Sequence, residues 1–467
     1  MNKFFLTTAI PYVNAKPHVG HALEFVQADV IRRYHKLLGD ETLLLSGGDE
    51  NALKNVQAAE AAGIDIQSFV DQNSSLFEAA AKKLDVDFDV FQKGSSKEHF
   101  ASSQELWQRC FDKGDIYKKE YSGLYCVGCE LFYELEELNE NGECYEHPGK
   151  KLETVKEENY FFKLSKYQEG LKRIIETEEI KIIPETRKNE ILSFINSGLK
   201  DISISRSNNR AKNWGVPVPG DDNQRMYVWF DALNIYRSGL GEKYDDFWPA
   251  DLHVIGKGII RFHAIYWPAF LLSAGIPLPK AIFVHGYFTV DGKKMSKTIG
   301  NVIDPVELTE KYGADALRYY LLSQIPSTQD GDFSETRLKE VYNSDLANGL
   351  GNLVSRVAKL CEKEGIINQA TENALNPNVL KYLDAYRFNE ALAEIWNQIK
   401  NVDQNINRDE PWKIDDKNKL KEALEKYSLE ILNIAFNLQP FLPETAEKIL
   451  NQFSGSIKSA QPLFPRL

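Results

Sequence analysis

The chain opens on an apolar run from Phe4 to Ile10, followed by Leu23, Val26, Val30, Tyr34 and Leu37 at intervals of three and four. An apolar run that gives way to this spacing predicts strand, turn, helix. Short apolar runs recur at Leu43 to Leu45 and at Ile282 to Val284, the latter followed by a turn-like Asp291-Gly292. From Val341 onward the pattern becomes almost wholly helical. Leu346, Leu350, Leu353, Val357 and Leu360 form one stripe, Phe388, Leu392, Ile395, Ile399, Val402 and Ile406 a second, and Leu420, Leu424, Tyr427, Ile431, Ile434 and Leu438 a third. Each stripe buries one face, so a helix bundle is predicted. No run approaches the roughly eighteen apolar residues of a membrane span. Lys3-Phe4-Phe5-Leu6 imitates the start of a signal peptide, but Pro11 interrupts it, and the segment reads as a strand.

At 467 residues the chain exceeds what one core supports, and two to four domains are expected. The formal net charge of -12 is not that of a protein coating itself in nucleic acid. Local basic patches suffice for RNA contact, because fields are screened within roughly 10 Å at ordinary salt. The stretch from Val341 to the end is closer to neutral, with 15 Lys and Arg against 17 Asp and Glu.

Three of the five cysteines fall in one segment, Cys126-x-x-Cys129 followed by Cys144-x-x-His147, with Gly128 and Gly142 in the turns. Two ligand pairs on tight turns match a closed tetrahedral zinc site, whose four protein ligands leave no open position and make the metal structural. A redox Cys-x-x-Cys is the alternative, and it leaves the second pair unexplained. Cys110 and Cys361 read as core thiols; nothing suggests disulfides, which fits the cytoplasm.

Two strings set far apart carry phosphate chemistry. Pro17-His18-Val19-Gly20-His21 stands at the predicted strand-to-helix turn, where a helix start offers N–H groups and a positive dipole end to an anion, and where Gly20 lets backbone approach a phosphate. The same histidines could instead cap the helix. Lys294-Met295-Ser296-Lys297-Thr298 places two ammonium groups in a loop between ordered segments. Together the strings resemble the two signatures of the class I aminoacyl-tRNA synthetases, with Thr298 keeping a hydroxyl where serine is usual. Between them stand Met226-Tyr227-Val228-Trp229-Phe230-Asp231-Ala232-Leu233-Asn234-Ile235-Tyr236 and a segment from Ile255 to Pro268 with His263 and Trp267 four apart. With Thr8-Ala9-Ile10-Pro11-Tyr12 and Asn301-Val302-Ile303-Asp304-Pro305, this constellation resembles the methionyl-tRNA synthetases over nearly the whole chain.

The resemblance implies ATP-dependent attachment of methionine to tRNA(Met) through methionyl-adenylate. It implies ATP contacts at His18, Gly20, His21, Lys294 and Lys297, with the two histidines and two lysines catalytic and Mg²⁺ accompanying ATP. It implies a methionine pocket of Ile10, Tyr12, Trp229, Ala232, Tyr236, Ile259, His263 and Trp267, with Asp49 holding the substrate ammonium; on sequence alone Asp49 could also lie on the surface. Asn352, Arg356 and Trp412 would read the anticodon, though Trp412 could equally be a core residue. Asn51 stands where a histidine is common in the family and Gly258 where an aspartate is common, which leaves any ATP or ribose contact at those two positions open.

The implied fold is α/β. A doubly wound parallel Rossmann-type sheet would be built from residues 1–115 and 214–290, interrupted by a connective-peptide insertion at 116–213 with a zinc knuckle at about 121–150. A lysine-loop and helical connector at 291–340 would lead to an all-α anticodon-binding domain at 341–467. The insertion is too short for the editing domain of the isoleucyl, valyl and leucyl enzymes. A cysteinyl enzyme would place its metal in the amino-acid pocket, and a small nucleotidyltransferase would need neither knuckle nor bundle. No additional C-terminal dimerisation domain is visible, so a cytoplasmic monomer without membrane attachment is expected.

Overall fold

A computed structural model describes residues 2–147, 149–295, 300–368 and 374–467; at Lys294 the description is of the backbone alone. The chain divides into two compact units, one of residues 1–17, 40–79 and 87–285, the other of residues 18–39, 80–86 and 286–467.

The first unit is built on six parallel strands, β1 (Lys3–Thr7), β2 (Glu41–Gly48), β3 (Val90–Lys93), β4 (Lys181–Ile183), β5 (Leu252–Gly256) and β6 (Ala281–His285), in the spatial order β3-β2-β1-β5-β6-β4. β1 pairs with β2 on one side, Leu6 opposite Leu44, and with β5 on the other, Leu6 opposite Leu252. The order therefore reverses direction between β1 and β5, the place where open α/β sheets leave a crevice beyond the carboxyl ends of their strands. The central strands carry continuous apolar runs because a parallel sheet is covered on both faces; Phe5, Leu6, Leu43 to Leu45 and Ile282 to Val284 are all buried. The edge strand β4 comes from within the 116–213 stretch and pairs with β6. Its Ile180-Lys181-Ile182-Ile183 is too short to stand out from the helical segments flanking it, and Pro184 suits only an edge. The same stretch also holds an antiparallel sheet, in which Ile116–Cys126 pairs with Leu131–Tyr133 and Glu153–Phe162, and two helices, Gln168–Glu176 and Glu185–Asn196.

In the second unit the Val19–Leu37 helix and the Ala314–Ser323 helix are tied by a buried ion network. Asp29 accepts from Arg32 Nη2 at 3.1 Å and Arg33 Nε at 2.6 Å, and pairs with Arg318 Nη2 at 2.9 Å. The fully buried Arg318 also donates to the carbonyls of Phe441, Leu84 and Pro440 at 2.8, 3.1 and 3.0 Å. Every donor of such a buried guanidinium has to be matched, and here backbone carbonyls do most of it. The Phe388–Asp409 and Lys417–Leu438 helices bury the stripes their spacing predicts, apart from a half-buried Leu420. The bundle also includes Asn352–Glu364 and Pro443–Phe453 and carries a short antiparallel strand pair, Ile367–Asn368 with Gly455–Ser456.

Candidate active site

Beyond the carboxyl ends of β1, β2 and β5, the first unit gathers most of the residues expected to hold an amino acid. Tyr12 and Asp49 form an isolated parallel bridge, with Asp49 N–H donating to Pro11 O at 2.9 Å. Tyr12 stands edge-on to Trp229, their ring centroids 6.1 Å apart. Trp229 stacks on Phe262 at 3.6 Å and stands edge-on to His263 at 6.5 Å. His263 lies in a wide π-helical segment, Phe262–Tyr266, a departure from α-geometry that is common where a side chain is aimed at a site. Its Nδ1 lies 2.9 Å from Ile259 O, a pure acceptor, so the proton sits on Nδ1 and Nε2 accepts from Tyr236 OH at 2.7 Å. Burial pulls the imidazole down to about 4, so the ring is neutral at physiological pH. Ile10 is half-buried and Ala232 buried close by in sequence to Tyr12 and Trp229. Trp267 is buried too, and its ring partner among the described residues is Trp248, at 6.1 Å.

Asp49 is only 2 % exposed, which removes the surface alternative. Its carboxylate accepts no hydrogen bond from the described residues, although its backbone is held at both ends, the carbonyl by Asn55 Nδ2 at 2.7 Å. Burial first, then the charges of Asp231 and Glu130, push its carboxyl well above the ordinary carboxylate range, against the pull of Lys54 and Arg206. The hydroxyl of Tyr12 is likewise buried without a partner among the described residues. Lys54 Nζ sits 3.2 Å from the centroid of the other face of this system, the Tyr12 ring, and donates to Gly128 O at 2.9 Å; burial lowers it to about 8. A carboxyl and a phenol without side-chain hydrogen-bond partners among the described residues, walled by aromatic rings, suit a small cation attached to an apolar, polarizable chain.

Sequence reading missed some of these neighbours. Phe262 is one, and its only signal is an aromatic beside His263; Lys54 is another. Asn51, noted in the sequence as a departure from the family pattern, is buried and donates from Nδ2 to Gly94 O at 2.7 Å and Asp231 Oδ2 at 2.6 Å, so its side chain is engaged within the protein. Gly258 is exposed.

Three thiols and an imidazole converge at the knuckle. Cys126 Sγ lies 3.3 Å from Cys144 Sγ and 3.8 Å from His147 Nδ1, and Cys129 Sγ lies 3.7 Å from Cys144 Sγ and 3.2 Å from His147 Nδ1. All four ligand atoms fall within 4.8 Å of one another. Ligands at Zn–S and Zn–N distances of about 2.3 and 2.0 Å around a tetrahedron stand about 3.5 to 3.8 Å apart, so the donor set fits a metal of that kind. Gly128 is required here, since a Cβ would stand 2.6 Å from the His147 ring.

In the second unit His18 and His21 open the Val19–Leu37 helix as a reciprocal cap. Gly20 N–H donates to His18 Nδ1 and His18 N–H to His21 Nδ1, both at 3.1 Å, and the rings stack with centroids 3.9 Å apart. Val19 N–H goes to Ile303 O at 3.0 Å, and the N–H groups of His21 and Ala22 both go to His18 O. The expectation of free backbone N–H groups at this helix start is therefore corrected: those of His18 and Gly20 go to the imidazoles and those of Val19, His21 and Ala22 to backbone carbonyls. With Nδ1 accepting, a neutral ring carries its proton on Nε2. Gly20 also has a different reason from the one expected. A Cβ there would stand 2.9 Å from His18 Cε1, so glycine makes room for the folded-back ring. The same hypothetical Cβ lies 3.6 Å from Met295 Cε, which brings the described part of the lysine string beside the histidine string. Lys293–Lys294 pairs with Phe288–Val290 across the Asp291-Gly292 turn, whose two positive φ values of 48° and 73° suit a tight hairpin. Ser296, Lys297 and Thr298 lie outside the described residues.

In the bundle Trp412 sits in a single turn, Pro411–Lys413, and is 49 % exposed, so it is no core residue. Asn352 is exposed one helical turn before Arg356. Arg356 is braced against the Phe388–Asp409 helix, donating to Asp403 and, at 2.9 Å, to Asn407 Oδ1. No helix among the described residues is long and apolar enough to cross a membrane.

Comparison with known proteins places this geometry. The methionine–tRNA ligase of Brucella suis is 40 % identical, with 99 % of this chain and 98 % of that one aligned. The methionine–tRNA ligase of Thermotoga maritima is 39 % identical over 98 % of this chain and 76 % of its own length. Among solved structures, Mycobacterium tuberculosis methionyl-tRNA synthetase in complex with methionyl-adenylate superposes with a TM-score of 0.93 over the whole of both chains at 36 % identity. The free form of that enzyme superposes at 0.86 and 35 % identity, with 100 % of this chain and 98 % of that one covered. Residues 4–358 match the sequence profile of the tRNA synthetases class I (M), and with full-length relatives at this identity the chain belongs to that family.

Proposed function

We propose that this protein joins L-methionine to tRNA(Met) at the expense of ATP, through methionyl-adenylate, releasing pyrophosphate and AMP. The observation that carries the reading is the buried Asp49 carboxylate, with no hydrogen-bond donor among the described residues, bridged to Tyr12, whose ring meets Trp229 and through it His263. The substrate ammonium supplies the missing donor and countercharge. The thioether lies against Tyr12, Trp229, Tyr236 and His263, with Ile10, Ala232, Ile259 and Trp267 filling out the cavity; a neutral His263 bonded to Tyr236 keeps this end uncharged, which suits sulfur and rejects a charged side chain.

The reaction needs no enzyme nucleophile. The methionine carboxylate attacks the α-phosphorus of ATP in line, and the bond to the pyrophosphate oxygen breaks. Catalysis is then positioning and charge stabilisation. His18 and His21 donate from Nε2 to phosphate oxygens, held in that tautomer by the backbone N–H bonds to Nδ1. Gly20 contributes by admitting the His18 ring. Lys294 and Lys297 neutralise the charge building on the departing pyrophosphate. Mg²⁺ bound with ATP supplies further charge neutralisation on the phosphate oxygens. In the second step a hydroxyl of the terminal tRNA adenosine attacks the adenylate carbonyl, and AMP leaves.

Cys126, Cys129, Cys144 and His147 hold one structural zinc ion, which staples a turn-rich segment with little core of its own. Residues 1–115 and 214–290, with the edge strand Lys181–Ile183, form the catalytic domain, the remainder of 116–213 the connective insertion, 291–340 the connector and 341–467 the anticodon-binding domain, where Trp412 offers an exposed stacking face and Asn352 and Arg356 offer hydrogen bonds to splayed bases. The protein acts as a cytoplasmic monomer. ATP–pyrophosphate exchange tested separately with methionine, cysteine, leucine and isoleucine checks the substrate: exchange with methionine alone is expected, and cysteine-driven exchange would overturn the pocket. Lys297→Ala should depress exchange far more than methionine binding; an equal loss of both would refute a role on the pyrophosphate.

A further inference from the structure

The loop that carries Asp49 is fixed by its neighbours' side chains. Glu50 accepts from Ser74 Oγ at 2.6 Å and from the N–H and Oγ of Ser95 at 3.0 and 2.6 Å. Asn51 is bound to Gly94 O and to Asp231, and its own Oδ1 is buried without a partner among the described residues. Asp231 belongs to the Val228–Ala232 helical turn, the same turn that presents Trp229 and Ala232. Its other oxygen takes His99 Nε2, and His99 Nδ1 lies 2.7 Å from Ser238 Oγ, so both carboxylate oxygens are occupied and the carboxylate is 2 % exposed. Asp231 thus joins the chain segment bearing the proposed ammonium receptor to the one bearing the aromatic wall.

We infer that Asp231, acting through Asn51, is a positioning residue for methionine binding: it sets the distance between the Asp49 carboxylate and the Trp229 face. The inference rests on the assignment of Asp49 to the substrate amine. Asp231→Asn keeps the volume but turns an NH₂ toward either Asn51 Nδ2 or His99 Nε2, so one of the two donors loses its acceptor. Asn51→Ala cuts the same link from the other side and leaves His99 bonded.

The charged and titratable groups around Asp49 are Asp231, Glu130, Lys54, Arg206 and the Tyr12 phenol. Of the two acidic neighbours, Asp231 acts more strongly on Asp49. Neutralising it lets Asp49 ionise at lower pH, so the acid-side rise in the methionine KM moves to lower pH in Asp231→Asn and stays in place in Asn51→Ala, which retains the charge.

The test measures pyrophosphate exchange from pH 5 to 8, and equilibrium binding of methionine and of its analogue lacking the amine, 4-(methylthio)butanoate, in wild type, Asp231→Asn, Asn51→Ala and Asp49→Asn. Both linking variants are expected to raise the methionine KM about tenfold or more, as one charge-assisted hydrogen bond is worth, with kcat changed less than threefold and amine-free analogue binding unchanged. A wild-type KM and pH arm in both variants would overturn the inference. Equal falls in kcat and in affinity for both ligands would reduce Asp231 to a packing role and overturn it too. If Asp231→Asn does not fold, Asn51→Ala decides. If Asp49→Asn keeps the wild-type ratio of methionine to analogue affinity, the assignment of Asp49 itself fails, an outcome distinct from failure of the link.

Discussion

Asp49→Asn should damage binding and strengthen the fold at once. The native carboxylate is buried, receives no hydrogen bond from the described residues, and faces two other acids. Burying one ion costs several kcal/mol even after relaxation, and Lys54 and Arg206 offset part of it, which leaves about 2 kcal/mol of penalty. For a folding unit of this size that corresponds to about 4 to 8 °C in Tm. The pH dependence has a definite sign. The folded carboxyl titrates above its unfolded value, so the native state binds the proton more tightly. Its destabilising effect is absent below the unfolded value, grows as pH rises, and is complete above the folded value. Asparagine removes it. Scanning calorimetry at pH 5 and pH 8 should therefore show Asp49→Asn melting above wild type, with the wider gap at pH 8. The same variant should weaken methionine about 10² to 10³ fold, the cost of a buried ammonium without its countercharge. A variant that melts lower than wild type, or a gap that does not change with pH, would refute the picture of an unsatisfied carboxylate.

The knuckle and the pocket should respond together: Gly128 O, Cys129 O and Glu130 O accept in turn from Lys54 Nζ, Trp229 Nε1 and Tyr227 OH. Stripping the metal with a chelator, or Cys144→Ser, should shift tryptophan fluorescence and weaken methionine about tenfold, two lost hydrogen bonds at about 1 kcal/mol each being ample; unchanged fluorescence and affinity would separate the two sites. Gly20→Ala should push the His18 ring off its cap and slow pyrophosphate exchange about 10² fold, as loss of one charge-stabilising donor does, with methionine binding intact. Exchange within threefold of wild type would deny that ring its role. Trp412→Ala should leave exchange and Tm nearly unchanged and lower tRNA charging about 10 to 100 fold, the worth of one stacked base; loss of exchange would place Trp412 in the fold and not at the anticodon.

What could be read from the chain alone was whatever repeats or clusters at short range. The knuckle ligands span Cys126 to His147, so their spacing is itself the signal, and the bundle helices announce themselves by buried positions three and four apart. The histidine cap is also local, although the use made of it was not: only coordinates show that both Nδ1 atoms take backbone N–H groups and that Gly20 serves the His18 ring. The tertiary structure decided what depends on partners far along the chain. Asn51 meets Asp231 across 180 positions and His99 meets Asp231 across 132, and no periodicity marks either pair. The edge strand β4 is three residues long and gains its identity only by pairing with β6. Above all, Asp49 is distinguished by donors it lacks among the described residues, and a missing partner leaves no pattern in sequence; it exists only once the folded chain has brought the other polar groups to their places.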